Sequence, residues 1–241
     1  MESTNSTDLK IAQITDIHLP RNKQLRVQDV DTYGTLDKML GIISDFSPDL
    51  VLVTGDIAEE GGEEPFRALK EMLEPFPNTL VTPGNHDLGH EYGRYFNDAS
   101  YQVRHLDDWT LLAINTAELD ISDETMSACQ RILEENERVL LATHHPLVSV
   151  GTPFFDQIHT LRNREKHWKS LISYPSLKAA VFGHIHFQHR SQHGHVQAIG
   201  APAVSFEIIG NTEDTKIEIF KRHGFQLLTL TDNVSSVTQF I

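Results

Sequence analysis

Five short apolar runs, each ending abruptly in a polar cluster, constrain this chain more than any other feature. Leu9–Thr15 leads into Asp16-Ile17-His18, and Leu50–Thr54 into Gly55-Asp56. Thr79–Thr82 leads into Pro83-Gly84-Asn85-His86-Asp87, Val139–Thr143 into His144-His145-Pro146, and Ala179–Phe182 into Gly183-His184-Ile185-His186. Runs this short, most of them rich in Val, Ile, Leu and Thr, read as strands. If they are neighbours in one sheet, their carboxyl ends converge on a single crevice, where α/β sheets hold ligands. Asp, Asn and His from distant parts of the chain would then share one small volume.

Helix-period segments separate the runs. Val27, Val30, Tyr33, Leu36, Leu40, Ile43 and Phe46 keep helical spacing, as do Phe66, Leu69 and Leu73 before Pro75. Met126, Cys129 and Leu133 share a helix face, and Trp168, Leu171 and Ile172 mark a helix ending near Pro175. From Gln188 onward the helical pattern stops. His195–Ile199, Ala203–Ile209, Lys216–Lys221 and Phe225–Thr231 alternate as antiparallel strands, so residues 188–241 are expected to close the domain as a β-meander. With no repeat, low-complexity tract or Pro/Gly linker, residues 1–241 read as one α/β domain, with residues 1–8 disordered.

The clusters have the chemistry of metal ligands. In Asp16-x-His18 and His184-x-His186 the paired side chains are two apart, so extended backbone turns them to the same side. Gly55 and Gly84 permit sharp turns just before a candidate ligand, and Pro83 stiffens the approach to Asn85. The Asp56 carboxylate has two oxygens with which to bridge two ions. Oxygen and nitrogen donors without a thiolate suit Mn, Fe or Zn and distinguish poorly among them.

Composition narrows the function classes. The 241 residues carry 20 Lys and Arg against 34 Asp and Glu, a formal charge of −14, which opposes long-range attraction to polymeric nucleic acid or an anionic membrane. One cysteine, Cys129, excludes an internal disulfide and any Cys-rich metal site, and its helix-face position reads as core packing. No apolar run approaches the ~20 residues that span a bilayer, and the polar start lacks signal-peptide character. Both features fit a cytoplasmic protein. Fourteen histidines are conspicuous. Those outside the clusters (His90, His105, His159, His167, His193, His195 and His223) read as solvated or satisfied polar groups, while His189 lies close enough to the last cluster to support it.

The ordered series of clusters resembles the calcineurin-like metallophosphoesterase superfamily, and most closely its small bacterial cyclic-nucleotide phosphodiesterases. Gln13–Leu19 and Gly55–Gly61 read like that group's first two motifs. The resemblance spans Asp16 to His186 and implies a four-layer αββα sandwich of mixed sheets. It also implies two divalent ions, one held by Asp16, His18, Asp56 and His186, the other by Asp56, Asn85, His144 and His184. His86 would be the non-ligand histidine facing the phosphoryl group. Glu59 stands where relatives carry an Asp that orients that histidine. His145, Phe187 and His189 would support the centre or line its pocket.

The implied chemistry is phosphoester hydrolysis by a hydroxide shared between two metals, with His86 stabilising charge or protonating the leaving oxygen. The expected substrate is a small anionic phosphodiester such as 3′,5′-cyclic AMP. The alternatives are a phosphomonoesterase, a broad phosphodiesterase and, with every ligand position filled arguing against it, a metal-poor scaffold. Leu19–Arg26, Leu88–Tyr95 and Val148–Leu161 are expected at the pocket rim. The last of these reads equally as a lid, a homodimer contact or a packed surface loop.

Overall fold

The structure is a computed structural model that describes residues 8–89 and 91–241. Most of the segment expected to be disordered, residues 1–7, lies outside the described residues, as does His90. Thirteen strands are described: β1 (Leu9–Ile14), β2 (Leu50–Thr54), β3 (Thr79–Thr82), β4 (Tyr101–Leu106), β5 (Trp109–Ile114), β6 (Val139–Thr143), β7 (Leu177–Phe182), β8 (His189–His193), β9 (Val196–Gly200), β10 (Glu207–Gly210), β11 (Ile217–Phe220), β12 (Gly224–Leu230) and β13 (Val234–Phe240). The α-helices are α1 (Thr32–Phe46), α2 (Glu63–Leu73), α3 (Tyr92–Tyr95), α4 (Asp123–Glu135) and α5 (Arg164–Leu171).

The strands divide between two main sheets. One has the order β13-β12-β1-β2-β3, the other β4-β5-β6-β7-β9-β8, and β10-β11 form a separate hairpin. Within the first, β1, β2 and β3 are parallel; within the second, β5, β6, β7 and β9 are. The five runs are therefore not all neighbours in a single sheet. Runs one to three belong to the first sheet, and runs four and five to the second.

Alternation within the strands explains the layering. Leu9, Ile11, Leu50 and Leu52 face Leu111, Ala113, Leu140, Ala142, Ala179 and Val181 between the sheets. The intervening Ala12, Ile14, Val51 and Val53 pack on Leu36, Met39 and Ile43 of α1 and on Phe66 and Leu69 of α2. On the far side, Leu112, Ile114, Leu141 and Phe182 pack on Met126, Cys129 and Leu133 of α4 and on Trp168 and Leu171 of α5. Strands buried on both faces read as continuous apolar runs, and the four layers are the expected αββα arrangement. Cys129 is buried in this core, and burial pushes its thiol up to about 12.

Two details depart from expectation. Val27 and Val30 precede α1, bridged to each other, because Asp31 caps the helix by accepting a hydrogen bond from Gly34 N. Residues 188–241 do pair as antiparallel hairpins, but they do not form one meander. β8-β9 extend the second sheet, β12-β13 extend the first, and β10-β11 stand apart.

Candidate metal centre

The carboxyl ends of β1, β2 and β3 in one sheet and of β6 and β7 in the other open onto the same edge of the sandwich. Their loops are laced together. Asp16 N and His18 N donate to the carbonyls of Gly55 and Asp56 at 3.0 Å each, and Gly183 N donates to the His144 carbonyl at 3.1 Å. The Asp87 carboxylate accepts from Ile57 N, Ala58 N and Gly84 N at 2.9–3.0 Å, which ties the exit of β3 to that of β2. Gly84 approaches so closely that an added Cβ would meet the Asp56 carboxylate, and Gly55, at φ 95°, would drive one to 2.5 Å from His144 Nδ1.

Asp16, His18, Asp56, His184 and His186 all hold left-handed backbone, with φ between 50° and 69°. That region is uncommon for residues other than glycine and clusters at functional sites. Of the five, His18, Asp56, His184 and His186 line the crevice, and Asp16 is buried behind them.

Asp56 is central to the group. Its Oδ2 lies 3.7 Å from His18 Nε2 and 3.4 Å from His144 Nε2. Asp16 Oδ1 is 3.5 Å from His186 Nε2, and Asn85 Oδ1 is 3.2 Å from His144 Nε2. Ligating atoms of Asp16, His18 and His186 lie within 4.8 Å of one another, as do those of Asp16, Asp56 and His144.

Each of the four candidate imidazoles has its outer nitrogen engaged. His144 Nδ1 donates to the Thr54 carbonyl at 2.7 Å, and His186 Nδ1 to the Phe206 carbonyl at 2.8 Å. His184 Nε2 donates to the His159 carbonyl at 2.9 Å, and His18 Nδ1 meets Glu59 Oε2 at 2.6 Å. A carbonyl can only accept, so the nitrogen that each of His144, His184 and His186 turns to its carbonyl carries a proton, and the other nitrogen of each is left to a metal ion once it carries none. Outer hydrogen bonds of this kind orient metal-bound histidines. His18 Nε2 and His186 Nε2 approach to 3.2 Å, near the edge of a coordination polyhedron with ~2.1 Å metal–nitrogen bonds. The residues present thus fit divalent metal.

Electrostatics agree with that fit. Burial pushes the Asp16 carboxyl up to about 6. Burial also disfavours the Asp56 carboxylate, but His144 and His18 beside it hold its pKa well below the usual range. For His144 burial is outweighed by the Asp56 carboxylate, which raises it to about 9. Burial, with His144 adding to it, pushes His184 down to about 3; burial and His18 likewise keep His186 low. A crowd of buried groups with opposed shifts marks a functional centre.

His86 is exposed at the mouth, its ring edge-on to His18 at 4.8 Å. Its Nδ1 donates to the backbone carbonyl of Glu59 at 2.8 Å, not to the carboxylate, which is turned to His18. The side chain at the position of the relatives' orienting Asp therefore does not hold His86. The longer arm carries the carboxylate past His86, and the main chain takes that role.

Three further expectations shift. His145 is fully buried behind the crevice, its ring 4.3 Å from that of His184 and its Nδ1 on Thr116 Oγ1, so it supports His184 without lining the pocket. Phe187 packs on Phe155, and His189 packs on Phe182 and bonds Ser191, and neither is on the crevice lining. His159, read from the sequence as solvated, is exposed but lines the crevice and supplies its carbonyl to His184.

The crevice holds about 170 Å³, and Phe154, Phe155, Phe206 and Ile208 form its apolar wall. Of the three expected rim segments, Val148–Leu161 supplies lining residues. Phe206 and Ile208 escape sequence reading because only the fold brings the entry to β10 against His186. A larger cleft of about 530 Å³ lies beyond the 85–87 turn, but Asp98, Glu118 and Asp120 on its lining would repel a phosphate.

Residues 9–188 match the calcineurin-like phosphoesterase family. The chain belongs to it. As a calcineurin-like phosphoesterase it is a metal-dependent phosphoester hydrolase. A 3′,5′-cyclic-nucleotide phosphodiesterase of Nostoc sp. is 29% identical over 236 residues, covering 92% of this chain and 88% of that one. The 3′,5′-cyclic adenosine monophosphate phosphodiesterase CpdA of Haemophilus influenzae is 27% identical over 213 residues, 83% of this chain and 77% of that one. Among solved structures, a purple acid phosphatase from yellow lupin superposes with TM-score 0.72 at 13% identity, over 98% of this chain and 51% of that one. A dimetal phosphatase from Danio rerio gives TM-score 0.63 at 12% identity, over 95% and 98% of the two chains. These two likenesses concern the fold. No described helix is long and apolar enough to cross a membrane.

Proposed function

We propose that this calcineurin-like phosphoesterase is a two-metal phosphodiesterase that hydrolyses 3′,5′-cyclic nucleotides or closely related small phosphodiesters. The observation that carries the two-metal reading is the place of Asp56 Oδ2 between His18 Nε2 and His144 Nε2, at 3.7 and 3.4 Å, with the outer nitrogens of the four histidines engaged elsewhere. Asp16, His18, Asp56 and His186 would hold one ion, and Asp56, Asn85, His144 and His184 the other. Two divalent ions supply Lewis acidity and lower the pKa of a coordinated water.

The chain's own groups account for the remaining chemistry. His86, with Nδ1 fixed on the Glu59 carbonyl, presents Nε2 to the crevice mouth. From there it can donate a hydrogen bond to a phosphoryl oxygen or a proton to the leaving oxygen. The apolar wall limits water around the scissile bond and offers ring faces to a nucleobase. The choice of a cyclic nucleotide follows the relatives' substrates. An acidic chain with one buried thiol suits the cytoplasm.

The test is the initial rate with added Mn²⁺ on 3′,5′-cyclic AMP, its 2′,3′ isomer, bis(p-nitrophenyl) phosphate and p-nitrophenyl phosphate. The reading expects diesters to exceed the monoester in kcat/KM, with a cyclic nucleotide highest. A preference for p-nitrophenyl phosphate would overturn it in favour of a phosphomonoesterase.

A further inference from the structure

Among the four candidate ligand histidines, His184 alone takes its orienting acceptor from a long irregular loop, residues 148–161. Thr54 ends β2, Phe206 abuts β10, and Glu59 acts through its side chain. The His159 carbonyl instead follows a single π-turn, Phe154–Ile158, whose place depends on what holds the loop.

One carboxylate gathers that loop. Asp156 accepts from Ser149 Oγ at 2.8 Å, Val150 N at 3.1 Å and Gly151 N at 2.9 Å, and pairs with Arg164 Nη1 at 2.8 Å. The pair is well shielded, with side chains 15% and 12% exposed. Every other Arg or Lys ion pair among the described residues leaves a partner widely exposed. Burial disfavours the Asp156 carboxylate, but its donors outweigh that and keep its pKa low. Arg164 opens α5, so the latch joins the loop to the helix layer. The same loop sets Phe155 edge-on against His184 at 5.4 Å.

We propose that Asp156 is a positioning residue for one metal site: by closing the 149–159 loop it places the His159 carbonyl on His184 and fixes the nitrogen that His184 turns inward. The proposal rests on the two-metal reading. It predicts an asymmetric centre, because the Asp16–His18–His186 side does not depend on this loop.

The experiment is a calorimetric Mn²⁺ titration of metal-free wild type, Asp156→Asn and Arg164→Met, with the melting temperature of each metal-free protein as a check on folding. In Asp156→Asn the amide NH₂ must face an N–H or O–H donor, which opens the latch. One of two binding events should weaken about tenfold or more with the other unchanged, and excess Mn²⁺ should restore turnover. Arg164→Met, which keeps the carboxylate, should shift the same event by less. Two intact binding events in Asp156→Asn, or equal weakening of both, would overturn the proposal. If Asp156→Asn does not fold, Arg164→Met decides alone by the same criterion. Wild type that binds two Mn²⁺ but cleaves no phosphodiester would sink the substrate reading and leave this inference standing. Wild type that binds none would sink both.

Discussion

Glu59 serves two histidines with two different groups: its carboxylate meets His18 Nδ1 at 2.6 Å, and its carbonyl takes His86 Nδ1 at 2.8 Å. Side-chain substitution should therefore touch one histidine and spare the other. Glu59→Ala is expected to weaken metal binding by about 10- to 100-fold through His18, while the pH profile of turnover at saturating metal stays as in wild type. Glu59→Gln, which keeps an acceptor, should lose less. A change in kcat at saturating metal with unchanged metal affinity would place the side chain on His86 instead.

Asp56 and His86 should separate binding from turnover. Asp56→Ala removes the oxygen lying between His18 and His144, so metal content by elemental analysis and activity should fall together. His86→Ala should keep its metal and lose roughly 100- to 10,000-fold in kcat. Metal-loaded, active Asp56→Ala would end the two-metal reading.

Much of the candidate centre was legible because Asp, Asn and His at strand exits leave a written trace: an apolar run, a turn residue, a polar pair. Which run joins which of the two sheets was not legible, since Leu50–Thr54 and Val139–Thr143 carry the same period and composition. β5 was not anticipated, although Trp109–Ile114 is as apolar a run as β6 and is wholly buried. Its partner β4 is an edge strand with exposed Arg104 and His105, which dilutes the signal. His159 escaped because it acts through its carbonyl, and a main-chain contact has no residue signature.

Gly84 tests close approach without a conformational effect, because its φ of −104° suits any residue. A Cβ there would push on the Asp56 carboxylate. Gly84→Ala should fold, by circular dichroism, yet bind Mn²⁺ at least about tenfold more weakly. Gly61→Ala tests strain alone, at φ 69° with open space around the added Cβ. It should cost stability and leave metal affinity unchanged.

Metal uptake should depend on pH through His144, whose pKa in the metal-free protein is raised to about 9. A divalent ion must displace that proton, so apparent affinity should rise about tenfold per pH unit from pH 7 and level off above pH 9. Calorimetry in buffers of different ionisation enthalpy should show proton release at pH 7 that disappears near pH 10. His144's contribution to the metal-free fold has the opposite slope: a raised pKa stabilises below the ordinary 6.5, and that benefit is lost as pH climbs through about 9. Affinity that stays flat from pH 7 to 9 would contradict the assignment of His144.

The left-handed backbone of Asp16, His18, Asp56, His184 and His186 would set stability against the proposed metal chemistry at the same five places. Each such residue costs of order 1 kcal/mol relative to right-handed backbone, a cost glycine avoids. A population of variants sorted for heat resistance without metal should drift toward glycine and asparagine there, and would lose its chemistry before its fold.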